Sequence, residues 1–247
     1  MEEKHAEEQR IDRRELKARA REAMGKKGFT VLLVALSFVL ISGLLEGLST
    51  RLQYPNLDYS LLSEAMSEGD LDTVMEMMQP TNSFLGNLLN VAVTLMIFIM
   101  GVGFSYYCLN LARGVEDAGF SDLFDPFSYF LSTVLLTLVM GFFIFLWSLL
   151  LVVPGIIAAY RYSMAYYILM DDPDKPVMEC LRESKELTEG HKLELFLLDL
   201  SFLGWYLLSV IPLVSCFTAP YMRITRANYY RALSGRMEPP VHVDISI

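Results

Sequence analysis

Four ionisable side chains stand inside stretches of this chain that are otherwise apolar: Arg161, Asp199, Arg223 and Arg226. Tyr160, Tyr162, Tyr166, Tyr221 and Asn228 accompany them. A charged side chain at the centre of a hydrocarbon layer costs about 2.5–3.5 kcal/mol on insertion scales, so it turns toward protein or water and seeks a partner. Three guanidiniums against one carboxylate, with phenols and an amide as hydrogen-bond donors, suit the binding of an anion, either free or as a lipid headgroup. The structural alternative uses the same residues. An ion pair could hold helices together, or the arginines could lie along apolar surface and reach outward to the headgroups.

Catalytic chemistry has no comparable support. The chain has no HExxH, no GxSxG, no P-loop and no paired carboxylates within its apolar runs. His5, His191 and His242 are scattered outside those runs. Cys108, Cys180 and Cys216 form no CxxC pair and no zinc spacing, and suit helix packing as small apolar residues. No cofactor motif is present, so a non-enzymatic protein without a cofactor is expected. The net charge of −9 argues against a nucleic-acid partner, which requires a basic face.

The elements that position the charged residues are read from hydropathy. The chain is 53% hydrophobic and 12% aromatic over 247 residues, with a mean hydropathy of +0.38. Soluble chains are about 45–50% apolar. The excess falls in blocks of about 20 residues, the length a helix needs to cross roughly 30 Å of hydrocarbon. The expected fold is an all-α polytopic transmembrane bundle of six spans with amphipathic interfacial helices. Three segments are expected: residues 1–27, 28–233 and 234–247.

Residues 1–27 read as a solvated, mixed-charge helix with a Glu15–Arg19 pair and Gly25 as its cap. Span one covers about 29–48, with Gly43 and Gly47 at a small-xxx-small spacing. Residues 50–82 are acidic and predict a short amphipathic helix at the outer interface. Span two covers about 84–111, and its Asn87, Asn90 and Asn110 should face other helices. Span three covers about 130–153. A break at Pro154-Gly155 makes a hairpin with span four, 155–170, which carries Arg161. An amphipathic helix follows Pro176, presents Val177, Leu181, Ser184, Leu187 and Thr188, and stops at Gly190. Span five covers 193–213 and span six 214–233. Counting 1.5 Å per residue, Arg161 and Asp199 differ in depth by only ~5 Å in the inner half, so Asp199 is expected to pair with Arg161 or Arg226.

Lysine and arginine fix the orientation. Nine stand in residues 1–27, one (Arg51) in the first loop and one (Arg113) in the second. Lys175, Arg182, Lys185 and Lys192 follow span four, and Arg223, Arg226, Arg231 and Arg236 lie at the far end. Six spans with both termini cytoplasmic put nearly all of this charge inside. Membrane lipids, a second copy or another membrane protein are the expected partners.

The runs GFSYYCLNLARG, FSDLFDPF, LWSLLLVVPGIIAAYRYSMAYYILMDDP, ESKELTEGHKLELFLLDLSFLGW and APYMRITRANYY resemble the bacterial membrane-protein family catalogued as domain of unknown function 975. The resemblance covers about Phe29 to Leu233. It implies an integral protein of the bacterial cell membrane and carries no activity with it. Two positions depart from the family pattern: Val210–Tyr221 lacks a glycine-rich turn, and Thr188 replaces a methionine.

Overall fold

The computed structural model describes residues 11–80 and 83–237. Residues 1–10 and 238–247, which include His5, His242, part of the basic count of residues 1–27 and most of the expected segment 234–247, lie outside these residues. The described residues are helical and contain no strand. The helices are α1 (Arg13–Lys26), α2 (Gly28–Gln53), α3 (Tyr59–Glu68), α4 (Leu71–Met77), α5 (Phe84–Arg113), α6 (Phe130–Leu150), α7 (Val152–Arg161), α8 (Ala165–Asp171), α9 (Val177–Leu187), α10 (Lys192–Leu200), α11 (Leu203–Leu208) and α12 (Pro212–Leu233). Two 3-10 turns, Phe120–Leu123 and Asp125–Phe127, connect α5 to α6.

Three helices are long and apolar enough to cross a membrane: α2, α5 and α6. Most of their surface is uncovered; of the most apolar window of α6 only 11% is buried. Apolar surface on this scale is not left facing water, so these helices require a lipid or protein environment. The second half of the chain is more broken than its hydropathy suggests. Span four is divided into α7 and α8, and span five into α10 and α11.

The hairpin break is displaced from its predicted place. The chain turns at Leu151, whose backbone is extended, and Pro154 and Gly155 lie in the first turn of α7. Proline fits there because the first amides of a helix have no intrahelical acceptor to lose. Gly155 serves the packing of the two arms: a Cβ there would overlap the Ser148 hydroxyl on α6.

The division of span four is satisfied from outside. α7 ends at Arg161, leaving its carbonyl without a helical amide. Ser184 Oγ of α9 donates to that carbonyl at 2.9 Å, and Thr188 Oγ1, just past the helix, stands 3.2 Å from it while also reaching the Ser184 carbonyl at 2.8 Å. Ser184 Oγ also accepts from the Met164 amide at 3.2 Å. Both hydroxyl residues are fully buried. The less polar face predicted for α9 is therefore the one that packs, and Gly190 ends the segment with φ 82°.

Other expectations are corrected. α1 is docked rather than solvated: Leu16 and Ala20 are buried, although the Glu15–Arg19 pair forms at 2.8 Å. The helix runs through Gly25 to Lys26. Where one amphipathic helix is expected in 50–82, the structure has two short ones, α3 and α4, parted by Gly69 with φ 75°. Gly43 and Gly47 meet no neighbour. Gly103 does the close-approach work instead, because a Cβ there would overlap the Leu123 backbone. Asn90 reaches Ser49 Oγ at 2.8 Å and Asn110 reaches Asp122 at 3.0 Å, whereas Asn87 is exposed.

Candidate functional site: a two-arginine cleft

α12 brings Arg223 and Arg226 three residues apart, so both guanidiniums project from one side of the helix. Arg226 pairs with Asp199 of α10, Nη2 to Oδ2, at 2.8 Å. Tyr160 of α7 donates its hydroxyl to the same oxygen at 3.1 Å. Of the two predicted pairings of Asp199, the one with Arg226 forms. Arg161 forms no ion pair among the described residues, and its Nε is buried without a hydrogen-bond partner.

Arg223 has no carboxylate partner among the described residues. Its Nη1 donates to the Gly101 carbonyl at 2.7 Å and to Ser105 Oγ at 3.2 Å, both on α5. Its guanidinium lies over the rings of Phe104 and Phe38, 4.7 and 5.5 Å from their centroids. Carbonyl and ring faces solvate a cation without cancelling its charge.

Arg223 and Arg226 open onto one cleft of about 440 Å3. Its polar rim is Ser105, Ser163 and Tyr166; its apolar wall is Phe38, Ile97 and Phe98. No carboxylate lines it. Tyr166 is held by Thr137 Oγ1 at 2.9 Å. Ser163 enters the lining because the chain is non-helical between α7 and α8. The cleft thus offers cationic donors at one side and ring and alkyl surface at the other. Among the described residues, no cluster of His, Cys, Asp and Glu could hold a metal.

The family described as "Protein of unknown function (DUF975)" matches residues 11–156 and 149–237. The chain belongs to this family. No curated protein sequence and no solved structure matches it.

Of the nine predicted residues of this DUF975 chain, Arg223, Arg226 and Tyr166 line the cleft, Asp199 and Tyr160 reach it through Arg226, and Arg161, Tyr162, Tyr221 and Asn228 lie apart from it. Tyr162 packs beside Phe143. Tyr221 is held edge-on between Phe202 and Trp205. Asn228 donates to the Leu16 carbonyl at 3.4 Å, tying α1 to α12. The residues that sequence reasoning missed are Ser105, Ser163, Phe38 and Phe104, ordinary in type and distant in sequence from the arginines they serve. Asp171 was missed as well. Its side chain is 9% exposed, it pairs with Arg113 and Arg236, and it accepts from the Tyr230 hydroxyl at 2.6 Å. The acid cluster that closes the apolar run was the available signal for it.

Proposed function

We propose that this DUF975 protein is a non-catalytic, multi-pass component of the bacterial cell membrane that binds an anionic lipid headgroup between Arg223 and Arg226. The carrying observation is Arg223, a cation inside the bundle with hydrogen bonds and ring faces around it and no carboxylate. A guanidinium fork binds phosphate oxygens in bidentate fashion, and basic pockets between membrane helices on the cytoplasmic side bind anionic headgroups. The reading includes six spans, with α7–α8 and α10–α11 each crossing as a broken helix, and both termini in the cytoplasm.

Native mass spectrometry of the protein in mild detergent tests this. A stoichiometric anionic lipid that is lost in Arg223→Gln, and weakened in Arg223→Lys, is the expected result. The loss in Arg223→Gln should be about 10–100-fold, the worth of a charge-assisted hydrogen bond or two. A clean lipid-free mass, or binding unchanged in Arg223→Gln, would overturn it.

A second reading, transport of the same anion, draws support from the helix break at Tyr162–Met164, since interrupted helices beside a binding site are a feature of transporters. It predicts flux of the anion into proteoliposomes that stops in Arg223→Gln.

A further inference from the structure

Resting on the anionic-headgroup reading, the geometry points to a narrower ligand, and we propose that the cleft takes an intact glycerophospholipid whose phosphate is a singly charged diester, with Asp199 setting that charge preference. Three observations lead there.

The first is the charge count. Arg223 and Arg226 contribute two positive charges, and Asp199, 2.8 Å from Arg226, cancels one. The cleft therefore presents a net charge of one, divided between the Arg223 guanidinium, which has no carboxylate partner among the described residues, and the Arg226 guanidinium, whose Nε is buried without a partner. One negative charge neutralises it. A phosphomonoester with nearly two would leave the surplus beside Asp199 in a region of low dielectric, where like charges repel strongly.

The second is the wall. Phe38, Ile97 and Phe98 come from two of the three long apolar helices, α2 and α5. On α5, Val91 stands two turns from Phe98 on the same face and is an exposed apolar residue. The apolar wall therefore runs along the Phe98 face of α5 toward exposed surface, and an acyl chain can lie along it while the phosphate meets the arginines. A free anion would leave this wall unused.

The third is depth. α1 is polar on its outer face, and Arg13 and Lys17 reach α10 at the Leu197 carbonyl and Ser201. Such a helix belongs at the membrane surface. Asn228 is bonded to it through the Leu16 carbonyl. Arg226 lies two residues from Asn228 and Arg223 five, a rise of ~3 and ~8 Å. Both guanidiniums stand at the level of one leaflet's headgroups, within reach of a lipid entering sideways.

The test follows the charge. The purified protein is titrated with phosphatidylglycerol, a diester, and phosphatidic acid, a monoester, in mixed detergent micelles, and binding is read by native mass spectrometry. Asp199→Asn raises the site to two charges, and the affinity ratio of phosphatidic acid to phosphatidylglycerol should rise about tenfold. Arg226→Gln lowers the site to zero, and both lipids should be lost. The double variant Asp199→Asn/Arg226→Gln returns the site to one, and phosphatidylglycerol binding should return with the wild-type ratio. A structural pair can be relieved in the double variant too, so the change of lipid ratio in Asp199→Asn, which a structural pair would not produce, decides between the two. Glycerophosphoglycerol, the diester headgroup without chains, should not displace the lipid.

An unchanged ratio in Asp199→Asn, or no rescue in the double variant, sinks the charge assignment. Displacement by the chainless headgroup at the lipid's own concentration sinks the amphiphile. In either case, lipid still lost in Arg223→Gln leaves the broader reading standing. Lipid retained in Arg223→Gln removes both.

Discussion

Asp171 carries more of the described polar network than any residue singled out from the sequence. One carboxylate accepts from Arg113 at the end of α5, Arg236 beyond α12 and the hydroxyl of Tyr230. Its neighbour Asp172 is exposed. Removing the charge from a carboxylate that is 9% exposed leaves two guanidiniums short of a partner, and breaking a buried pair from one side costs about 3–5 kcal/mol. Asp171→Asn is expected to lower thermal stability in detergent by an amount near the bottom of that range, since Arg236 is more than half exposed. Asp172→Asn should melt like the parent; equal behaviour of the two variants would remove Asp171 from this role. The comparison also marks where sequence reasoning reaches. An ionisable residue inside an apolar run is conspicuous because it is costly there, so Arg161, Asp199, Arg223 and Arg226 stood out and two of them do form a pair. Asp171 stands at a run's end among other acids, where a charge is unremarkable. Its partners come from positions 113, 230 and 236, and no local spacing connects them.

At the scale of elements, the division of α7 from α8 depends on α9. Ser184 donates to the Arg161 carbonyl and accepts from the Met164 amide, while the one Thr188 hydroxyl proton is shared between the same carbonyl and that of Ser184. An orphaned buried backbone group costs about 1–3 kcal/mol. Ser184→Ala is therefore expected to destabilise by about that amount, and Thr188→Val by less, because Arg161 keeps Ser184; a wild-type melting temperature for Ser184→Ala would refute the account. Thr188 departs from the family pattern in favour of a hydroxyl, and here that hydroxyl has an acceptor. The glycines make a second element-level case. Gly43 and Gly47 match a helix-packing spacing yet meet nothing, whereas Gly103, in no motif of that kind, lies against the Leu123 backbone. Gly103→Ala should cost at least about 1–3 kcal/mol by overpacking. Gly43→Ala should be neutral or mildly stabilising, because alanine favours helix over glycine. Similar losses in both would show that helix propensity, and not the contact, decides. Spacing reports which residues share a face but not which element arrives opposite it. That is why the long helices α2, α5 and α6 were legible and their contact points were not.

The whole molecule poses a question of topology that length and composition leave half answered. α2, α5 and α6 each suffice to cross a membrane, while α7–α8 and α10–α11 reach comparable length only as broken pairs. If three helices cross, with residues 1–27 inside, everything after Leu151 lies outside, including the basic stretch Lys175–Lys192 and the four arginines from Arg223 to Arg236. That places eight cations on the side where short loops carry few. If six cross, those eight are inside and only Arg51 is outside. The native cysteines permit a direct measurement. Cys108, Cys180 and Cys216 are buried, and burial pushes the Cys180 thiol up to about 11, so little thiolate is present at neutral pH to react. Single cysteines introduced as Ser67→Cys, Glu189→Cys and Val210→Cys occupy exposed positions in the acidic loop, after α9 and before α12. Six spans predict that a membrane-impermeant maleimide labels the first and third on intact cells, and the second only after permeabilisation. Three spans predict that all three label on intact cells. Labelling of Glu189→Cys from outside would move the two-arginine cleft to the outer leaflet and, with it, the lipid that the cleft could meet.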